Sequence, residues 1–169
     1  MPSWEDRRER WDAATARLRT QLEPMVAVTP ALRRAVAEQT DRYRGTGTAP
    51  LASDAEVDAY LAARMPATMA AAGAAMRAVA AAVPDFAPRT MLDLGAGTGS
   101  AAWAATATWP ALEAVTAVER SEAMLARARA LAAGAEHAAL ATAGWVHQDM
   151  RRADLPTADL VTASYVLGE

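Results

Sequence analysis

Residues 93–99 carry the first chemistry legible in this chain. Asp93 stands at the end of a short apolar run, and Gly95, Gly97 and Gly99 follow it at alternate positions, with Ala96 between the first two. Glycines at that spacing let a backbone turn tightly and approach a ligand that a Cβ would hold off. A second apolar run, Ala114 to Val118, ends in Glu119. That acid lies roughly 20 residues past the glycine loop, where a carboxylate can accept hydrogen bonds from both hydroxyls of a ribose. The alternative for Glu119 is a surface ion pair with Arg120. The pattern is that of a nucleotide-type site at the mouth of a βαβ unit. A dinucleotide fingerprint reads G-x-G-x-x-G, whereas this loop reads G-x-G-x-G with the acid two residues upstream of the first glycine.

Hydrophobic spacing indicates the elements that must hold these residues. Thr90 to Leu94 reads as a strand, Ser100 to Thr108 as a crossover helix closed by Trp109-Pro110, and Ala114 to Val118 as a second strand. Ser121 can cap a helix whose buried face carries Met124, Leu125, Ala128 and Leu131. Gly144 to Gln148 reads as a third strand running into Asp149-Met150, and Asp159 opens a fourth whose carboxyl end would be Ser164-Tyr165. Ligands of open α/β sheets bind at carboxyl ends of strands, so Ser164 and Tyr165 are candidates for the substrate side. His147 is expected to be a strand residue with a satisfied ring, and His137 carries no argument.

Ahead of this unit the chain reads as helical. A charged helix runs from Trp4 to Leu22 and stops at Pro24; Thr29-Pro30 opens another through about Tyr43. Gly45 to Pro50 is a loop, and Ser53 with Glu56 forms a capping box for a helix that Pro66 must break. Past Pro66, Met69, Ala72, Met76, Val79 and Val83 form one apolar stripe, the methionines being core packing and not a metal box. The clusters Arg33-Arg34 and Arg42-Tyr43-Arg44 read either as a solvated helix face or as a local RNA-phosphate contact surface. The expected division is a helical region over residues 1–88 and an α/β nucleotide-type domain over 89–169.

Composition narrows the class. The chain has 169 residues, 53% of them hydrophobic, enough for a core, and a net charge of −3 that provides no global field for nucleic acid. It has no Cys, which excludes a disulfide partner, a thiolate metal site or a cysteine nucleophile within it. No metal ligand set is evident. The first residues lack an apolar leader and carry acids, and the longest alanine-rich run is interrupted by Arg77 and short for a membrane span. The expectation is a soluble, cytoplasmic protein with no membrane partner.

The acid-x-G-x-G-x-G form resembles motif I of the class I S-adenosylmethionine methyltransferases, in which the loop cradles the methionyl end of the cofactor. That resemblance implies a Rossmann-like sheet, with Asp93, Gly95, Ala96, Gly97 and Gly99 around the methionyl group. It also implies Glu119 on the ribose, Asp149 on the adenine amino group and the Met150 backbone N–H on the ring. Tyr60-Leu-Ala-Ala-Arg64-Met65-Pro66-Ala67-Thr68 and Ser164-Tyr165-Val-Leu-Gly168-Glu169, together with Leu92 to Ser100 and Trp103, resemble more narrowly the Rsm-type methyltransferase-like proteins of the small ribosomal subunit. This resemblance, over about residues 40–169, implies association with that subunit or its rRNA during assembly. It puts Arg64 either near the cofactor or RNA entrance or in a structural pair with a carboxylate. Members of the family carry cysteines for an iron–sulfur cluster downstream of this region, and this chain has none to assign.

The family's sheet has seven strands, and four can be counted before Glu169, so an incomplete domain, inactive alone, is expected. Three functions compete: a methyltransferase-like protein of small-subunit rRNA, a small-metabolite methyltransferase, and a non-enzymatic ribosome assembly factor. No residue is designated as a catalytic base. Ser164-Tyr165 does not form the Asn/Asp-Pro-Pro-Tyr pattern of amino-group methyltransferases.

Overall fold

The computed structural model describes residues 3–26, 54–152 and 154–164. Its elements are α1 (Trp4–Leu22), α2 (Asp54–Ala63), α3 (Met65–Ala82), β1 (Thr90–Leu94), α4 (Ser100–Thr108), β2 (Ala114–Glu119), α5 (Glu122–Ala132), α6 (Ala138–Ala141), β3 (Gly144–His147) and β4 (Leu160–Thr162). The expected helix from Thr29, both arginine clusters, the Gly45–Pro50 loop, Ser53 of the capping box and Tyr165 lie outside the described residues.

The four strands form one parallel sheet in the order β3-β2-β1-β4. Two successive right-handed crossovers through α4 and α5 would carry the chain outward from β1, and the return to the far side of β1 brings in β4. Register at the β1–β4 edge is set by a carboxylate clamp. Asp159 accepts from the backbone N–H groups of Arg89 (2.9 Å) and Thr90 (3.0 Å) and from the Thr90 hydroxyl (3.0 Å), which in turn accepts from the Asp159 N–H. Those donors favour the charged carboxylate and lower its pKa. β4 is shorter than its apolar sequence suggests. It ends at Thr162, so Ser164 lies beyond the strand, half-buried.

α4 is buried from Ser100 to Ala107. A helix apolar on every side is expected where other elements enclose it: here α3 and α1 lie against it, and a shared core joins Leu18, Leu61, Met65, Met69 and Met76 to Trp103 and Val115. Its alanines allow that close approach. Pro66 acts as expected, with α2 ending at Ala63 and Pro66 in the first turn of α3, where the missing N–H costs nothing.

The apolar stripe of α3 needs a correction. Met69 and Met76 are buried, but Val79 and Val83 are 45% and 51% exposed. The buried line runs instead through Met65, Met69, Gly73 and Met76, with Ala80 packed against the core. Gly73 is the reason. A Cβ there would lie 2.1 Å from the Trp11 ring, so the glycine is the seat of that indole. Counting only large apolar residues therefore turns the face away from α1. Arg77 lies over the same ring, 4.3 Å from its centroid.

No helix among the described residues is long and apolar enough to cross a membrane.

Candidate functional site

The glycine loop leaves the carboxyl end of β1 and enters α4. Gly95, Gly97 and Gly99 all have positive φ (65°, 56° and 86°), the left-handed region that side-chain-bearing residues avoid. The turn is held by Ala96 N–H donating to the Val118 carbonyl (3.0 Å) and Gly99 N–H donating to the Ala96 carbonyl (2.8 Å). At Gly99 the space is also taken, because a Cβ would stand 2.7 Å from the Trp145 ring of β3. Gly97 faces outward. A Cβ there would meet only Met124 Cε at 3.7 Å and the Tyr60 hydroxyl at 4.0 Å.

Glu119 ties this loop to the next one. Its Oε2 accepts from Gly97 N–H (2.9 Å) and its Oε1 from Ser121 N–H (2.8 Å), which fixes the carboxylate at the tip of β2. The ion pair with Arg120 that sequence left open is not how these oxygens are engaged. Ser121 caps α5 by accepting from Met124 N–H.

Asp149, just past β3, is gripped by Arg151. The guanidinium donates to both carboxylate oxygens (Nε to Oδ1 at 3.0 Å, Nη2 to Oδ2 at 2.7 Å), and Arg151 N–H donates to Oδ1 at 3.0 Å. This grip holds the Asp149 carboxyl well below the usual carboxylate range. Gly95, Glu119, Asp149 and Met150 line one cleft with Val118, Arg120, Gln148 and Arg151, at the carboxyl ends of β1, β2 and β3. Its free space is about 50 Å³, well short of the several hundred Å³ of a typical cofactor pocket. Arg151 forms part of its wall.

Asp93 lies apart from this cleft. It is 1% exposed; Oδ1 accepts from the Thr162 hydroxyl of β4 at 2.7 Å, and Oδ2 is buried without a partner. Burial pushes its pKa up to about 7, opposed by the Thr162 hydrogen bond and aided by the nearby Glu119 charge. Ala96 is buried in the turn.

Two residues that sequence reasoning did not place at the site belong to the neighbourhood. Thr162 partners Asp93, and only the β1–β4 pairing, which sets Asp93 opposite Thr162, could reveal it. Tyr60 reaches the loop from α2, which is anchored to α5 by Asp58 accepting from Arg127 Nε at 2.9 Å. Arg64 stands at the α2–α3 break, half-buried; beside it the Met65 carbonyl accepts from Ser100 at the start of α4 (3.5 Å). His147 is satisfied as expected, its Nε2 lying 2.9 Å from the Arg120 carbonyl. Among the described residues no group of three or more acids and histidines could hold a metal ion.

The Glu119 end of the arrangement can accept from a diol. Each Glu119 oxygen accepts one amide and keeps a lone pair for a hydroxyl. Asp93 Oδ2 is an acceptor lacking a donor, and Gly97 opens the loop where a side chain would intrude.

Comparison with known proteins agrees with this architecture. A family model described as "Mitochondrial small ribosomal subunit Rsm22" matches residues 54–169. The human mitochondrial ribosome assembly protein METTL17 is 42% identical over 76 residues, a stretch that makes up 44% of this chain and 17% of that relative. The mitomycin 7-O-methyltransferase MmcR superposes with a TM-score of 0.51 at 23% identity, over 82% of this chain and 42% of its own, which establishes the Rossmann-like methyltransferase fold. The cytoplasmic expectation is overturned, since both the family description and the human relative's name are mitochondrial. That expectation rested on composition and a charged start, and neither tells one aqueous compartment from another.

Proposed function

This chain belongs to the Rsm22 family of the mitochondrial small ribosomal subunit, and from that premise we propose a methyltransferase-like protein of ribosome assembly that binds S-adenosylmethionine. One observation carries the cofactor reading: Glu119, the glycine loop and Asp149 converge on a single cleft at the carboxyl ends of three adjacent parallel strands. In the proposed assignment Glu119 accepts the ribose hydroxyls, Asp149 accepts the adenine amino group, and the Met150 backbone N–H meets the ring. Gly95 to Gly99 make room for the methionyl end, with Asp93 as the buried acceptor behind it. The bound cofactor supplies an electrophilic methyl group on sulfur. The chain's own contribution is positioning. Binding requires Arg151 to leave Asp149, because the guanidinium already fills the acceptor positions that the adenine amino group needs.

The proposed partner is the small ribosomal subunit or its rRNA, with residues 89–169 holding the cofactor. Ser164, Tyr165 and Arg64 are the proposed substrate-side residues. A non-enzymatic assembly role has one observation in its favour: the carboxylates lining the cleft, Glu119 and Asp149, are both already engaged, by two amides and by a guanidinium. Neither is free to act as a general base.

Calorimetric titration with S-adenosylmethionine tests the cofactor reading. Wild type should bind, and Glu119→Ala should weaken binding by at least tenfold; no measurable binding to wild type refutes it. Co-sedimentation with small subunits over a salt series tests the partner, and absence from the subunit fraction at every salt concentration counts against it.

A further inference from the structure

A crevice of about 320 Å³ lies between α1 and α3 at the carboxyl end of α4. Its apolar lining includes Ala80 and Ala107, with Trp11 of α1 and Thr108, the last residue of α4. Arg7 of α1 and Arg77 of α3 border it, and both are exposed, so a ligand arriving from solvent can reach them. No acidic side chain lines it among the described residues. Arg127, Arg129 and Arg151 each rest on a carboxylate. Arg77 has no carboxylate partner among the described residues; its guanidinium lies over the Trp11 ring instead.

That stacking suits an anion. It occupies the flat face of the guanidinium and leaves the N–H groups at its edge for a partner. It also holds the side chain in place, which reduces the freedom lost when a ligand binds. Arg and Trp side chains can only donate, and the Thr108 hydroxyl already donates to the Ala104 carbonyl at 2.8 Å. What enters must therefore bring acceptors and negative charge. A phosphate brings both, and its oxygens match the guanidinium fork. No Asn or Gln, the side chains that read an adenine edge with paired donor and acceptor, is in the lining. Recognition here follows a backbone and not a sequence. The glycine loop enters α4 at the other end of its 9 residues, about 13 Å away, so a phosphate held here is an anchor and not a methyl acceptor.

We propose that this crevice is an anchoring site for the phosphate backbone of RNA, with Arg77 and Arg7 as its cations. The proposal rests on the reading that the partner is the small ribosomal subunit or its rRNA, and it gives that partner a surface on this chain. The net charge of −3 does not oppose it, because exposed charges more than about 8 Å away are largely screened at physiological salt.

Binding of the full chain to small ribosomal subunits, by co-sedimentation, and to the rRNA extracted from them, by filter binding, tests the proposal over a salt series. Wild type should bind both, with log affinity falling linearly against log salt. Arg77→Gln should weaken rRNA binding about fivefold at about 0.1 M salt and lower the slope by about 0.7, the share of one phosphate contact on a single strand. Adding Arg7→Gln should double both effects on the logarithmic scale. Arg77→Lys keeps the charge and should keep the slope. Arg19→Gln, the same charge change on α1 outside the crevice, should alter affinity by less than about twofold. Far-ultraviolet circular dichroism verifies folding, and Arg7→Gln alone keeps the test decisive if Arg77→Gln does not fold. Unchanged affinity and slope in the Arg7→Gln and Arg77→Gln variants, with wild type still on subunits, overturns the proposal and leaves the partner reading standing. An equal loss from Arg19→Gln overturns it as well, since the attraction is then diffuse. Wild type that sediments with subunits but does not bind the extracted rRNA has a protein partner, which also overturns it. Absence of wild type from the subunit fraction at every salt concentration removes the partner reading and the proposal with it.

Discussion

Replacing Gly99 by alanine isolates what the loop demands of its sequence. The residue sits at φ 86°, where a Cβ costs roughly 1–2 kcal/mol. That Cβ would also stand 2.7 Å from Cη2 and 3.3 Å from Cζ3 of Trp145, and forcing a ring aside in a packed site costs about 1–3 kcal/mol more. The expected loss is therefore about 2–5 kcal/mol, a large part of the stability of an ordinary domain. For a chain of this size it lowers Tm by about 4–20 °C. Urea and thermal unfolding measure it. A double-mutant cycle separates the two causes, because Trp145→Leu removes the collision and leaves the backbone strain. The double variant should recover at least about 1 kcal/mol relative to the sum of the singles. Gly144→Ala is the internal control: its φ is not positive and a Cβ would make only ordinary contacts, at 3.8 Å or more. A Gly99→Ala loss under about 0.5 kcal/mol, or no relief from Trp145→Leu, refutes the reasoning.

Three further outcomes are expected. Asp93 has a pKa near 7 when folded and about 3.9 when unfolded. The folded state therefore binds more protons between these values, so stability falls as pH rises from 4 to 7 and levels off above; urea titrations over that range should show the slope, and Asp93→Asn should flatten it. Arg151→Ala frees Asp149 from an exposed pair, which should tighten S-adenosylmethionine binding by up to about fivefold in calorimetry; weaker binding contradicts a competing guanidinium. Gly73→Ala raises helix propensity by about 1 kcal/mol. It also places a Cβ 2.1 Å from Trp11, so chemical denaturation should register a net loss of up to about 2 kcal/mol, and the same change made in a Trp11→Ala background should show no loss.

Much of the α/β half was legible because its signals are local. Alternate glycines, a Ser N-cap and apolar runs of strand length each depend on a few neighbouring residues, and α4, β1 and β2 fall where these signals put them. Among the described lead-in helices the boundaries were legible, but the face of α3 was not. The buried line of α3 passes through Gly73, and a glycine adds nothing to a hydrophobic pattern even when it is the closest point of contact. The fourth strand was overextended for a related reason, since apolar residues continue past Thr162 while β1 offers partners only as far as Asp93.

The sequence alone determined the residue types of the candidate cleft and their order along the chain, because backbone geometry at the turn requires glycine. It also carried the family. Tertiary structure decided which partner each of those groups meets. Thr162 joins Asp93 across 69 residues of chain, and Glu119 locks onto the amide of Gly97. Arg151 occupies Asp149. These are contacts between side chains and backbone brought together by the sheet and the helices packed on it, and hydrophobic spacing does not encode which polar group will face which.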